Sequence, residues 1–316
     1  RLTDFYMASP VCSPSRAAML TGSYPLRIGF GGAATGGLGG VLFPGWGVGL
    51  DPSEITIARM LRDSGYATCG VGKWHCGDQP EFLPTNHGFD EWFGLPYSND
   101  MGRQVVAPEG LTMPQIGEYL AERGLEHPWI QPPLPLLDGA EVVEAQPDQS
   151  LLTGRYVDRC VEFMRDHADQ PFFVYLAHMY VHLPIYVQER FVERSRNGAY
   201  GAAVASIDWA TSELLAELDR LGLTDDTIVV FTSDNGALDP TKGGSGSNAP
   251  LRDHKGTTWE GGQRVPCIVR WPGQIAPGTA IDAPMSSLDL LPTIGALCGA
   301  TAPADRVLDG DDVVYL

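Results

Sequence analysis

Three times in this chain a helical stretch runs straight into a short apolar strand, and that alternation limits the possible folds more than any other feature. Between Ser150 and His167 the apolar residues Leu152, Tyr156, Cys160 and Met164 recur every four positions, and the β-branched and aromatic run "PFFVYLAHM" follows. From Tyr200 to Leu221, Val204, Ile207, Thr211, Leu214, Leu215 and Leu218 mark a second helix stopped by Gly222. It leads into "DTIVVFTSDNG", a strand whose polar end is Ser233-Asp234-Asn235-Gly236. An earlier unit has the same form. "DPSEITIARMLRDSG" predicts a helix with Asp51 as N-cap, Pro52 at the first helical position, Glu54 closing a capping box and Gly65 as the stop; "YATCGVGKW" then predicts a buried strand. "RVPCIVRWPG" is one more strand, and 101–149, rich in Pro and Gly, is expected to be an excursion over the surface. Alternating helices and strands imply a layered α/β domain with a central, mostly parallel sheet flanked by helices, its site at the strand ends.

The whole chain, 316 residues and 43% hydrophobic, is long enough to bury a large core, and either one large α/β domain or two smaller domains would suit that length. A net charge of -18, from 21 Lys and Arg against 39 Asp and Glu, argues against nucleic acid or an anionic membrane as partner. Any anion must be met by a local basic cluster. No apolar run approaches the length of a membrane span, and "RLTDFYMASP" carries no signal-peptide core. The six cysteines lie far apart without a C-x-x-C pair, which argues against a zinc ribbon or a thioredoxin-type motif.

Several short stretches concentrate polar chemistry. "PVCSPSRAAMLTG" sets Cys12 ahead of a helix that Ser15 could cap; the thiol is either an apolar filler or a group facing an anion-favouring helix N-terminus. In "GVGKWHCG", Lys73 and His75 are two apart and on a strand would share a side. Ser98 in "GLPYSND" has the appearance of turn chemistry, and "AHMYVHLP" offers His178 and His182. Asp234 and Asn235 suit either a turn or two oxygen ligands of a hard cation. "LRDHKGTTWEGGQRVP" carries Lys255.

Taken in order, "CSPSRAAMLTG", "GKWHCG", "GLPYSND", "FTSDNGA" and "HKGTTWEGG" resemble the motifs of the formylglycine-dependent sulfatases of the arylsulfatase type. The resemblance implies an alkaline-phosphatase-like α/β sandwich, with residues 1–316 as one catalytic domain, and a sulfuric ester hydrolase. It implies that Cys12 is converted to formylglycine by a formylglycine-generating enzyme that reads Pro14 and Arg16, and that Arg16 then holds the hydrated side chain. Lys73 would contact it and His75 would act as its base. Ser98, His182 and Lys255 would bind the sulfate, with Lys255 also neutralising the leaving oxygen. Asp234, Asn235 and the modified Cys12 would ligate calcium or magnesium, and Glu260, Gly261, Gly262 and Arg264 would be framework. The substrate would be a small-molecule, glycan or lipid sulfate ester, in a lysosomal, periplasmic or secreted setting. The family's first strand, with two metal-binding aspartates, and its small C-terminal sheet have no counterpart here. The chain is therefore expected to be truncated at both ends, and an inactive fragment or a non-catalytic sulfate-ester binder competes with catalysis. Within enzymes, the alternative is a phosphoester or phosphonate hydrolase of the same superfold.

Overall fold

The computed structural model describes residues 1–31, 40–102, 112, 115, 118–119, 122, 132–239 and 246–315. Much of the Gly-rich stretch 29–47 and of 101–149 lies outside them. A five-stranded sheet forms the centre, in the order β5-β4-β3-β2-β6, where β2 is Ala67–Lys73, β3 Glu91–Leu95, β4 Pro135–Asp138, β5 Glu141–Ala145 and β6 Phe172–Ala177. β3, β2 and β6 run parallel, as the helix-then-strand pattern requires. β4 and β5 add an antiparallel hairpin at one edge. That hairpin corrects the expectation of a plain surface excursion. "LLDGAEVV" carries an Asp-Gly turn, with Gly139 at φ 58, and Leu136 and Leu137 are buried.

Two smaller pairings complete the strands. β7 (Val229–Thr232) pairs antiparallel with β8 (Cys267–Arg270), and β1 (Phe5–Tyr6) pairs parallel with β9 (Met285–Ser286).

Helices cover both faces of the sheet. On one face Cys69 and Val71 of β2 and Phe93 and Leu95 of β3 meet Leu152, Tyr156, Cys160 and Phe163 of α3 (Leu152–Asp166). On the other, Phe173 and Tyr175 of β6 pack with Trp74, Phe89 and Trp92 and with Ala17 and Leu20 of α1 (Cys12–Thr21). Each fully buried side chain of this size stabilises the fold by roughly 1.5–3 kcal/mol.

Three helices differ from expectation. α2 spans Ile57–Asp63, and Thr56, whose side chain accepts from Arg59 N, is its N-cap. Asp51 instead turns back on Ser53 N at 2.8 Å, and the Glu54 carboxylate is held by Arg306, so neither is available for a capping box. Residues 51–53 are exposed, with no apolar face to extend the helix. α4 (Gly198–Leu221) ends at Gly222 with φ 72 as expected, but the buried face is Ala202, Ala203, Ser206, Ala210 and Leu218; Val204 points outward. Small residues let α4 lie close to α3, which decides the face. α1 begins at Cys12 after the extended Val11, three residues before the expected cap, because Ser15 donates its hydroxyl elsewhere.

Candidate active site

All ten residues of α1 are buried, and its first turn faces the ends of β2 and β7. The helix is fixed there by short bonds. Ser15 Oγ donates to the Asp234 carbonyl at 2.6 Å, Ser13 Oγ accepts from Leu42 N at 3.1 Å, and the Pro10 carbonyl accepts from Gly256 N at 3.0 Å. Arg16 Nε donates to Asp234 Oδ2 at 2.9 Å, a second guanidinium nitrogen lies 2.8 Å from the same oxygen, and a third donates to the Lys73 carbonyl at 2.8 Å. Arg16 thus joins α1 to both strand ends. Tyr175 on β6 lies near enough to Arg16 for its charge to offset part of the rise that burial causes in the phenol, a proximity that no motif in the sequence signals.

Asp234 and Asn235 follow β7, where close backbone approaches set the loop. Gly236 N donates to the Gly262 carbonyl at 3.0 Å, and a Cβ on Gly236 would lie 1.8 Å from the Gly261 carbonyl oxygen. Lys255 N donates to the Ala237 carbonyl at 2.9 Å. These bonds bring the loop 252–262 over Cys12. Lys255 Nζ lies 3.4 Å from Cys12 Sγ, and Asn235 Oδ1 lies 3.6 Å from the same sulfur. Tyr6 hydroxyl donates to Glu260, and Arg264 bridges Glu260 and Asp4, which makes this end of the loop a structural support.

Lys73 ends β2, fully buried, with Nζ 3.2 Å from Ser98 Oγ. His75 does not share its strand alternation: β2 has ended, and His75 takes a left-handed conformation with φ 62. Its Nε2 is 3.0 Å from the Leu42 carbonyl, which only accepts, so Nε2 carries the proton and Nδ1 the lone pair. Nδ1 is buried without a hydrogen-bond partner among the described residues. His182 Nδ1 lies 2.6 Å from the Leu183 carbonyl and 3.8 Å from Asp100. His178 is held by Thr153 and Tyr180 N and is a structural histidine.

Charge is redistributed within this cluster. Burial pushes the Asp234 carboxyl up, but Arg16, Lys73 and Lys255 outweigh it and hold it well below the usual carboxylate range. Burial likewise opposes ionisation of the Cys12 thiol, and the charges of Lys73, then Lys255, outweigh it, lowering its pKa. Lys73 is lowered by burial first, with Arg16 and Lys255 adding to the effect. Burial, then Lys73, drives His75 well below the ordinary histidine value; burial, Lys73 and Lys255 push His182 down to about 4. Near neutral pH both imidazoles are uncharged, facing a pocket made cationic by two lysines.

Cys12, Arg16, Lys73, Ser98, Asp234, Asn235 and Lys255 are therefore one connected group, with His75 tied in through Leu42 and Lys73, and His182 close enough to feel the charges of Lys73 and Lys255. A calcium site is a different matter. Calcium takes 6–8 oxygen ligands, whereas Asp234 and Asn235 offer a few oxygens, one of them engaged by Arg16. Among the described residues no three His, Cys, Asp or Glu side chains converge as ligands, so this donor set does not fit a complete calcium or magnesium site. No helix among the described residues is long and apolar enough to cross a membrane.

A family model described as Sulfatase matches residues 1–300. The steryl-sulfatase of Rattus norvegicus is 38% identical, over 100% of this chain and 63% of its own length. Arylsulfatase A of Homo sapiens is 40% identical, over 99% of this chain and 59% of its own length. Among solved structures, Ps i-CgsB in complex with k-i-k-neocarrahexaose superposes with a TM-score of 0.78 at 32% identity, covering 98% of this chain and 66% of that one. The chain thus spans less than two thirds of these curated relatives. The fold they share is the alkaline-phosphatase-like sandwich expected from the motifs.

Proposed function

This chain belongs to the sulfatase family, and from that premise we propose that it is a catalytic unit for hydrolysing sulfate monoesters, with a formylglycine made from Cys12 as nucleophile. The observation that carries the proposal is the convergence of Lys255 Nζ and Asn235 Oδ1 on Cys12 Sγ at the head of α1. A donor, Lys255 Nζ, and an acceptor, Asn235 Oδ1, beside that atom suit a small hydroxyl-bearing group. Formylglycine supplies a hydrated aldehyde, one oxygen of which attacks sulfur while the other later releases the sulfate.

This chain's own residues then have separable tasks. Lys73 and Lys255 place two positive charges where a sulfate oxygen would sit, and Ser98, bonded to Lys73, adds a hydroxyl. As the S–O bond breaks, charge moves to the bridging oxygen. Fixed cations beside it stabilise the transition state more than the ground state. His75, neutral and with an unpartnered lone pair, is suited to accept a proton. His182 would contact the sulfate and leaving group from the other side. Arg16 is neutralised by Asp234, so its task is to hold the head of α1 and the ends of β2 and β7 in register. Asp234 and Asn235 would offer oxygens toward a calcium or magnesium ion, too few among the described residues for a complete site.

The substrate would be a small-molecule or glycan sulfate ester, and the partner that prepares the site a formylglycine-generating enzyme. A net charge of -18 does not oppose an anionic substrate when the attraction is confined to such a pocket. The test compares kcat/KM for an aryl sulfate and the matching aryl phosphate in protein co-expressed with that enzyme. The proposal expects preference for the sulfate; preference for the phosphate makes the chain a phosphoester hydrolase.

A further inference from the structure

We infer that His254 is a positioning residue that holds Lys255 against the nucleophile position by bracing its loop to the segment after Asn235. The inference rests on the proposed role of Lys255. His254 Nδ1 lies 2.8 Å from the Lys255 carbonyl oxygen, while Nε2 lies 3.0 Å from Asp253 Oδ1 and 3.4 Å from Asp239 Oδ2. All three neighbours are acceptors, one facing Nδ1 and two facing Nε2, so either ring nitrogen finds a partner for its N–H. With both nitrogens engaged, His254 acts through Lys255 and not on the substrate.

The surrounding bonds show why a brace is needed there. The His254 carbonyl accepts from Thr257 N at 3.1 Å and Thr257 Oγ1 at 2.9 Å, closing a turn with Lys255 and Gly256 inside it. Lys255 N is bound to Ala237 and Gly256 N to Pro10, so backbone bonds pin this turn to both the strand end and the approach to α1. Those bonds fix two peptide nitrogens. They leave the carbonyl side of Lys255 to His254, which fastens it across to Asp239. A lysine reaches its target on a flexible four-carbon stem, so the orientation of its peptide decides where the ammonium spends its time. A displacement of about 1 Å in a charge-stabilising group costs up to about 100-fold in rate. The His254 side chain is one quarter exposed, so shortening it leaves the core intact.

The experiment measures aryl sulfate kinetics, inorganic sulfate affinity by calorimetry and melting temperature for His254→Ala, Asp239→Asn, the double variant and His254→Gln, all in formylglycine-converted protein. The expected result is a loss of about 10-fold in kcat/KM for His254→Ala, expressed mainly in kcat, with partial rescue in His254→Gln. Asp239→Asn falls in the same direction, and the double variant is no worse than His254→Ala, since both remove one brace. Rates within twofold of the parent overturn the inference. So do losses that multiply in the double variant, or a loss matched by collapse of the melting temperature. A parent that binds sulfate but turns over no ester sinks the proposed function alone; the His254 effect on sulfate affinity then decides the brace, unchanged affinity overturning it.

Discussion

Lys73 and Lys255 reach the same small volume from opposite sides of the fold, one from the end of a buried strand and one from a loop. Their value lies in being fixed before the substrate arrives. Replacing Lys73 with Ala is expected to cost about 100-fold or more in kcat/KM, and Ser98→Ala, which removes only the hydroxyl partner, about 10-fold. Steady-state kinetics with an aryl sulfate checks both, and the reverse ranking would contradict the roles. A different residue governs behaviour in acid. His87 is fully buried with neither ring nitrogen hydrogen-bonded among the described residues, and burial, then Arg59, pushes it down to about 4. Its ring packs on Trp74 at 5.5 Å. Unfolded, it takes a proton near pH 6.5; folded, it refuses one until about 4, so stability falls as pH drops through that window. His87→Phe is expected to flatten the loss of melting temperature between pH 7 and 4.5. An unchanged slope would show that His87 finds a partner. At this scale the sequence was most informative, because the five motifs name side chains directly. It missed Tyr175 and the left-handed turn at His75, since neither a strand tyrosine nor a positive φ at a histidine has a local signal.

Elements were legible where burial enforces their period and illegible where ends are set by competing hydrogen bonds. α3 carries the four apolar residues expected of it, all buried, with Leu152, Tyr156 and Cys160 packed in the cluster that holds β2 and β3. The start of α2 was misplaced because Asp51, Pro52 and Glu54 look like a cap, while Thr56 is the residue that caps. Thr56→Ala is expected to destabilise the protein by about 1–2 kcal/mol, the more so because its buried hydroxyl also donates to the His87 carbonyl, whereas Asp51→Ala should cost a few tenths. Urea denaturation of both variants measures this, and equal effects would restore Asp51 as the cap. The close approach of Gly236 to Gly261 makes a sharper prediction. Gly236→Ala should cost more than about 2 kcal/mol and separate Asn235 from Cys12, because its Cβ meets backbone that has no rotamer to give. At Gly139, which has open space and φ 58, Asn should be tolerated. The β4–β5 hairpin was hidden by its surroundings: an Asp-Gly turn inside a long Pro- and Gly-rich stretch reads as loop until the strands are seen to join the sheet.

As a whole, the molecule carries a net charge of -18, yet it sets Lys73 and Lys255 together at the head of α1. Acid should weaken it throughout. His178 and His182 are also pushed down to about 4, chiefly by burial, and each contributes up to roughly 3 kcal/mol of lost stability between pH 6.5 and 4. Asp234 works in the same direction: its depressed pKa gives stability that is present above about pH 4 and lost as pH falls further. The layered α/β architecture follows from the repeated helix-then-strand units. The separation of β7 and β8 from the central sheet does not, because pairing between distant strands leaves no local trace. What the substrate carries beyond its sulfate is the least legible property of all. It depends on loops such as 29–47 and 101–149, much of which lie outside the described residues. The measurement that tests the central claim most directly is the rate of aryl sulfate hydrolysis as a function of the fraction of Cys12 converted to formylglycine, with that fraction read by peptide mass in the same samples. Rate should rise in proportion to conversion and vanish in Cys12→Ala. Hydrolysis that survives Cys12→Ala, or none in fully converted protein, would contradict it.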